Sequence, residues 1–334
     1  MISPDRILII RPDGLGDLIL SLPVAQSLKE SFPESRIAYV VSHRASGILP
    51  SVDYVDDWIV DDDGSGSRLS LLGLARRVRN DRYDTVIELK PSWRTALAGL
   101  LSGARNRIGT SRRFYSPLYN RRVAVHRRGS GHHQTDLDLM LLRPLGIDVS
   151  GRLPILDVTD RGLRSAKMLL KLSSDSYIVF HPGSAGSAPN WPVENYRRLA
   201  EIILNETDYS VVVTDRRNSV AGFDGCLNIA GKTDIETLAA VLKGARVFVS
   251  GSTGPLHLAD AVGTRCISFF SSRQDIGPDR WGPRRNADGI IVPERPCACG
   301  ISERCRCLES IGPREAFNRI EERLREVNDP APEK

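Results

Sequence analysis

The sequence predicts an α/β protein with two parallel sheets. Three observations carry that reading. Short apolar runs bounded by turn residues alternate with segments of helical spacing along nearly the whole chain. The alternation pauses over residues 150–175 and then starts again. Several runs end in turns rich in Gly, Asp, Ser or Thr, at the strand ends where open α/β sheets bind ligands.

The first run, Ile7, Leu8, Ile9 and Ile10, is apolar on both faces, as a central parallel strand covered on both sides must be. It passes through a polar turn into a helix starting near Gly16 and Asp17, with Leu18, Ile19, Leu22 and Val24 turned inward. Strands are predicted next over 36–41 and 54–60, the latter closing on the acidic turn 61–66. A helix over 69–78, a strand over 85–89, a helix over 93–101 and a short strand over 107–109 follow. A basic loop leads to a helix over 135–145.

The second alternation follows an extended passage and a helix over 162–172. Strands are predicted over 177–180, 210–214, 247–250 and 266–270, and helices over 195–204, 234–242, 254–262 and 313–327. The polar, Pro-containing tail 328–334 is expected to fray. The domains are placed at 1–160 and 161–328, with 329–334 as tail and the last helix a candidate to pack back on the first domain. Two halves of this kind imply a cleft.

At 334 residues, with 41% apolar and 26% charged residues, the chain has the composition of a soluble globular protein of about two domains. It has no apolar run of membrane-spanning length and no secretory leader, so a cytoplasmic location is expected. The net charge of +5 is modest, but its distribution is not even. Between Arg105 and Thr135 there is no acidic residue, while Arg105, Arg107, Arg112, Arg113, Arg121, Arg122, Arg127 and Arg128 fall inside. Such a segment suits an anionic partner: phosphate, acidic lipid or nucleic acid. A solvated basic loop is the plain alternative.

Three turns carry candidate chemistry. Arg11, Asp13, Gly14 and Asp17 fall at the carboxyl end of the first strand, where a carboxylate and small residues can meet a ligand. A GxG by itself is weak evidence, and an ordinary capped βα turn would read the same way. In the second half, His181 to Ser187 follows a strand with free backbone N–H groups, including Ser184. The turn Ser252-Thr253-Gly254-Pro255 runs straight into a helix with hydroxyls at the cap and Pro in the first turn. Free amides and the positive end of that helix suit a diphosphate, and His257 lies one turn inward on the same face. A well-capped helix with a packed histidine is the competing account.

The motifs RPDGLGDLILSLP, YDTVIELKPSWRTALAGLLSGARNRIG, HPGSAGSAPNWPVENYRRLA and VSGSTGPLHLADAVGTRCISFFSS, in this order, resemble glycosyltransferase family 9, the ADP-heptose:lipopolysaccharide heptosyltransferases. The resemblance implies the GT-B architecture, two Rossmann-like domains facing across a cleft, with the acceptor in the first domain and the nucleotide sugar in the second. It implies inverting transfer with no catalytic metal. The family's general base matches Asp13, and its donor-binding positions match Ser184, Ser187, Ser252, Thr253, Gly254 and His257. Arg11, Gly14, Lys90, Arg112 and Arg113 are expected at the acceptor. The implied partners are an ADP-sugar and an anionic lipid-linked acceptor, with peripheral contact at the inner-membrane cytoplasmic face and no nucleic acid. Two positions depart from the family. Pro189, followed by Asn190, stands where members often carry Lys, and Ser252 stands where many carry an acid. The acid that holds the adenosine ribose in the family has no clear match after the 210–214 strand, where Asp215 is a candidate.

Cys297, Cys299, Cys305 and Cys307 form two Cys-x-Cys pairs. Four thiolates so close can hold a tetrahedral metal, so a structural zinc or iron is expected here, against the alternative of reduced cysteines in a tight loop. Two other functional classes compete with the transferase. A protein (autotransporter) acceptor or a different donor keeps the fold, and a non-catalytic nucleotide-sugar binder would explain Pro189 but not Asp13. A nucleic-acid binder lacks a stacking platform, since Phe114, Tyr115 and Tyr119 are the only aromatics in the basic segment.

Overall fold

The computed structural model describes residues 4–62, 64–65, 67–127, 129–172, 176–184, 186, 188–215, 221–297 and 306–325. The chain divides into two compact units, Met1–Pro154 and Ile155–Lys334.

The first unit begins with β1 (Arg6–Arg11), followed by α1 (Leu15–Ser31) and β2 (Arg36–Val41). Helix α1 buries residues on nearly all sides, because β1 and β2 cover one face and a later helix covers the other. A single turn, α2 (His43–Ser46), precedes β3 (Asp57–Val60), α3 (Leu71–Asn80), β4 (Thr85–Glu88) and α4 (Trp93–Leu101). The serines before α3 and α4 cap them: Ser70 Oγ accepts from Gly73 N and Ser92 Oγ from Thr95 N. Then come β5 (Asn106–Thr110), β6 (Arg121–Val123) and α5 (Gln134–Leu139). All six strands are parallel, in the order β3-β2-β1-β4-β5-β6.

The second unit repeats this plan. It contains α6 (Asp160–Leu169), β7 (Tyr177–His181), α7 (Val193–Glu206), β8 (Ser210–Val213), β9 (Leu227–Asn228), α8 (Ile235–Gly244) and β10 (Val247–Gly251). It ends with α9 (Gly254–Ala261), β11 (Cys266–Phe269), α10 (Pro278–Trp281), β12 (Ile290–Ile291) and α11 (Pro313–Arg325). The parallel order β12-β11-β10-β7-β8-β9 is that of the first sheet with β7 in the place of β1. In each sheet the chain reverses its direction of travel beside the first strand, between β1 and β4 and between β7 and β10. These are the points where such folds bind ligands.

Two apolar clusters hold the layers. In the first unit Leu8, Ile10, Val40, Ile59 and Val86 meet Leu74, Ala75 and Val78 of α3 and Ala98 of α4. In the second, Trp191 is fully buried, stacks on Phe269 with ring centres 4.1 Å apart, and donates its indole N–H to the Ile311 carbonyl at 2.9 Å. The final helix packs on α7, β10 and β11 of its own unit. No helix among the described residues is long and apolar enough to cross a membrane.

Several elements differ from expectation. The strand expected over 54–60 starts only at Asp57, because Val55 N–H is spent on a turn to the Val52 carbonyl. The basic segment is not a plain loop: it contributes β5, edge strand β6 and a 3-10 turn, Ser116–Leu118, between them. The helix over 135–145 is α-helical only to Leu139 and then tightens to 3-10, in a stretch where Pro144 removes a backbone donor. Helix α6 begins at Asp160 rather than 162, with Thr159 Oγ1 accepting from Gly162 N. The tail and part of the cysteine segment lie outside the described residues.

Candidate functional site

At the carboxyl end of β1 sits Arg11, buried to 1% exposure. A guanidinium withdrawn from water needs carboxylates and carbonyls around it, and Arg11 has them on every nitrogen. Its Nε faces Asp13 Oδ1 at 3.1 Å, one terminal nitrogen meets Asp17 Oδ1 at 2.9 Å, and the other meets Asp138 Oδ2 at 3.3 Å and the Leu89 carbonyl at 3.4 Å. Burial works against the Arg11 charge, but Asp138, Asp13 and Asp17 outweigh it and hold its pKa above the ordinary value. The second oxygen of Asp13 faces Lys90 Nζ at 3.3 Å. Asp13 is thus fixed by two cations, one buried below it and one half-exposed beside it. Its backbone carbonyl accepts from Ser42 Oγ at 2.6 Å, which pins the turn to the end of β2.

Asp138 and Arg127 belong to this site, and sequence reasoning did not single them out as site residues. Asp138 lies in α5, fully buried, where it also accepts from Gln134 Nε2 at 2.9 Å and faces an Arg127 nitrogen at 3.7 Å. Arg127 donates to the Leu89 carbonyl as well. These residues are more than 100 positions from Arg11, and only the fold brings them together. Gly14 caps α1 with φ −76°, and a Cβ there would meet nothing closer than Asp17 Oδ2 at 3.6 Å. Gly14 is exposed, and nothing in the described protein demands a glycine at this point.

A second buried carboxylate shapes the same edge. Glu88, the last residue of β4, accepts from Ser92 N at 2.9 Å and from the hydroxyls of Thr95 and Tyr119. Tyr119 reaches it by lying flat over Gly109, where a Cβ would stand 2.5 Å from the ring. Glu88 therefore fastens both the β4–α4 turn, which carries Lys90, and the β5–β6 turn, which carries Arg112 and Arg113. Those two arginines are exposed and do not reach Asp13: Arg112 meets His126 Nε2 at 2.5 Å, and the Arg113 backbone donates to Ser116 Oγ at 3.0 Å.

In the second unit the expected turns sit at the ends of adjacent strands. The turn after β10 caps α9 with Thr253, whose hydroxyl makes no cap bond; its Oγ1 is buried without a hydrogen-bond partner among the described residues. Gly254 opens that helix, Ser252 is partly exposed, and His257 is buried one turn in. The turn after β7 holds Ser184, exposed, with its hydroxyl accepting from Gly186 N at 3.3 Å; Ser187 lies outside the described residues. Asn190 joins the two turns. Its amide donates to the Pro182 carbonyl, and its Oδ1 occupies the space beside Gly251, 3.0 Å from where a Cβ would be. Asp215 lies just past the end of β8, over Gly183, where a Cβ would stand 2.2 Å from its Oδ2. Burial pushes the neighbouring His181 down to about 4, with Asp215 pulling the other way, so the imidazole is neutral at physiological pH.

The cysteine expectation is only half visible. Cys297 N donates to Ser272 Oγ at 2.7 Å and Cys307 Sγ lies 3.7 Å from Ser271 Oγ, so the two outer cysteines approach neighbouring serines after β11. Cys299 and Cys305 lie outside the described residues, and among the described residues no group of three metal-binding side chains occurs.

Burial pushes the Glu88 carboxyl up to about 7, against the hydrogen bonds from Thr95, Tyr119 and Ser92. The folded protein holds this proton more tightly than the unfolded chain. The stability it contributes is therefore present at low pH and lost as pH rises through about 7. Relative to Glu88→Gln, the wild type is expected to lose stability between about pH 5 and about pH 8. Unfolding curves across that range check this; a difference independent of pH would show that Glu88 titrates as an ordinary carboxylate.

The description "Glycosyltransferase family 9 (heptosyltransferase)" matches residues 71–310. Lipopolysaccharide heptosyltransferase 3 of Escherichia coli K12 is 26% identical over 80% of this chain and 82% of its own length. The crystal structure of E. coli ADP-heptose lps heptosyltransferase II superposes with a TM-score of 0.79 at 20% identity, covering 97% of this chain and all of the other. TibC, an iron-containing dodecameric glycosyltransferase of enterotoxigenic E. coli, superposes with a TM-score of 0.56 at 13% identity over 98% of this chain and 78% of its own. With the doubled six-stranded plan and two ligand-facing edges, the family match over most of its length establishes that the chain belongs to glycosyltransferase family 9, the heptosyltransferases, and is a glycosyltransferase.

Proposed function

We propose that the protein moves heptose from ADP-heptose to an anionic lipopolysaccharide inner-core acceptor, with inversion at the sugar carbon and Asp13 as general base. The observation that carries this reading is the Asp13 carboxylate, fixed between buried Arg11 and half-exposed Lys90 at the ligand edge of the first sheet. A sugar hydroxyl is too weak an acid to attack unaided. As its oxygen bonds to the heptose carbon, its proton passes to Asp13 and the bond from that carbon to the diphosphate breaks. Arg11 is shared among three carboxylates, so it orients Asp13 rather than neutralising it alone. Lys90, Gly14 and the exposed Arg112 and Arg113 then face the acceptor's own phosphates and carboxylates.

The departing ADP gathers negative charge. The Gly254 N–H at the start of α9, the unpartnered Thr253 hydroxyl and His257 would supply the donors for it, and Ser252, Ser184 and Ser187 are proposed to bind the outer phosphate and sugar. The relatives' names support the assignment: one acts on lipopolysaccharide, and one is called an ADP-heptose transferase. Asp215, past β8, is the group placed to hold the adenosine ribose. The domain assignment follows the same division of labour, with acceptor residues in 1–160 and donor residues in 161–328. A cytoplasmic enzyme peripheral to the inner membrane fits such substrates.

Cys297, Cys299, Cys305 and Cys307 are proposed to hold a structural zinc or iron. The Cys297 backbone N–H meets Ser272 and the Cys307 Sγ meets the adjoining Ser271, which supports the outer two cysteines lying near one another. The iron-containing TibC shares the fold. Bound there, the ion would stiffen the segment before α11, and no step of the transfer passes through it.

Thermal unfolding with ADP, UDP, GDP and dTDP side by side tests the donor. A ligand at 100 times its dissociation constant adds about 2.7 kcal/mol, so ADP alone is expected to raise Tm by a few degrees, and His257→Ala to blunt that response. A response to another nucleotide instead would overturn ADP-heptose. For the metal, elemental analysis of purified protein is expected to find about one zinc or iron per chain, and finding none removes the site.

A further inference from the structure

The second sheet has a groove at its amino edge, opposite the turns proposed to hold the donor. It encloses about 420 Å³ where α8 gives way to β10 and α9 to β11. Lys243, Arg246 and Arg265 line it, and no carboxylate does. The rest of its lining is small, with Gly244 and Gly263 among it. Gly244 lies so close over Tyr177 that a Cβ would stand 2.5 Å from the phenol oxygen, and Gly263 holds a left-handed φ of +84°. Both positions favour glycine, so this part of the groove stays bare of side chains.

The ends of two helices would ordinarily offer such cations their partners, because the last carbonyls of a helix carry partial negative charge. Here those carbonyls are taken. The Val241 carbonyl accepts from Tyr177 Oη, the Leu242 carbonyl from Thr264 Oγ1 and the Val262 carbonyl from Lys243 Nζ, each at 2.7 Å. Lys243 is thereby spent. Arg246 and Arg265 are left over. They belong to the amino ends of neighbouring parallel strands, and among the described residues neither side chain makes a hydrogen bond or an ion pair.

Two guanidiniums without counterions in one concave site repel each other and favour an anion. Their planar forks match phosphate oxygens. The volume falls among those of small-molecule sites, roughly 300–1,000 Å³, and no large apolar side chain lines the groove to enter a lipid layer. We infer that this groove binds a soluble phosphorylated small molecule, held by Arg246 and Arg265 with Lys243 beside them. It is a second site: the five residues of β10 set it roughly 17 Å from the turn that opens α9. The inference goes beyond the transfer and does not depend on which nucleotide the donor carries.

Calorimetric titration of pyrophosphate into the full chain tests this, with ADP at saturation so that the proposed donor site is filled. Wild type is expected to bind pyrophosphate, and Arg246→Gln with Arg265→Gln to weaken that binding by about tenfold or more, as loss of charge-assisted hydrogen bonds does. Arg76→Gln with Arg79→Gln, which removes two exposed arginines of α3, is expected to bind as wild type does. An unchanged Tm verifies that each variant folds. No heat from pyrophosphate overturns the site. So does equal binding by the groove variant, or an equal loss in the α3 variant, which would leave net charge as the whole cause. Sedimentation with phosphatidylglycerol vesicles through Arg246 and Arg265, without heat from pyrophosphate, would make a lipid headgroup the occupant and overturns it as well. ADP alone is titrated first. A chain that ignores ADP but loses pyrophosphate binding in the groove variant overturns the donor assignment and leaves the groove standing.

Discussion

A positive charge buried at the end of the first strand organises the strand-end edge of the first unit of this enzyme. Arg11 cannot be left unpaired in the interior: removing a partner from a buried ion pair typically costs about 3–5 kcal/mol. Its partners come from three places, the β1–α1 turn through Asp13 and Asp17, the end of β4 through the Leu89 carbonyl, and α5 through Asp138. Satisfying one guanidinium therefore fixes the relative positions of a turn, a strand end and a helix. The orientation of Asp13 is a by-product of that requirement.

The two units show how one plan serves opposite electrostatic tasks. Both place a ligand edge where the sheet order reverses, and both use the turn after the first strand and the turn after its neighbour. In the first unit those turns carry Asp13 and Lys90, groups that titrate or pair with charge. In the second they carry hydroxyls, glycines and the amides opening α9, which favour negative charge without adding a cation. Asn190 locks the two turns to each other through Pro182 and Gly251.

Much of the fold was legible because its signals are local. A fully buried strand such as β1 or β10 must be apolar on both faces, and a helix such as α9 announces itself with Thr253 before it and Pro255 in its first turn. The short edge strands β6, β9 and β12 are only two or three residues long, and Arg121–Val123 reads as loop until β5 lies beside it. Asp13, Thr253 and His257 were legible as motif positions. Asp138, Arg127 and Glu88 were not, because a buried charge has meaning only through its partners, and each has one 31 or more residues away: Arg11 for Asp138, Leu89 for Arg127 and Tyr119 for Glu88. The absence of acids across the arginine-rich segment was a usable signal, but it could not separate Arg127, which turns inward to Asp138, from Arg112 and Arg113, which stay outside.

The account rests on Asp13 as the group that takes the acceptor proton. The most direct measurement is the turnover of Asp13→Ala at saturating donor, with ADP affinity read in parallel. Loss of a general base predicts a fall in kcat on the order of 10² or more, while ADP binds as it does to wild type. Unchanged turnover would contradict the account and show that another group removes the proton.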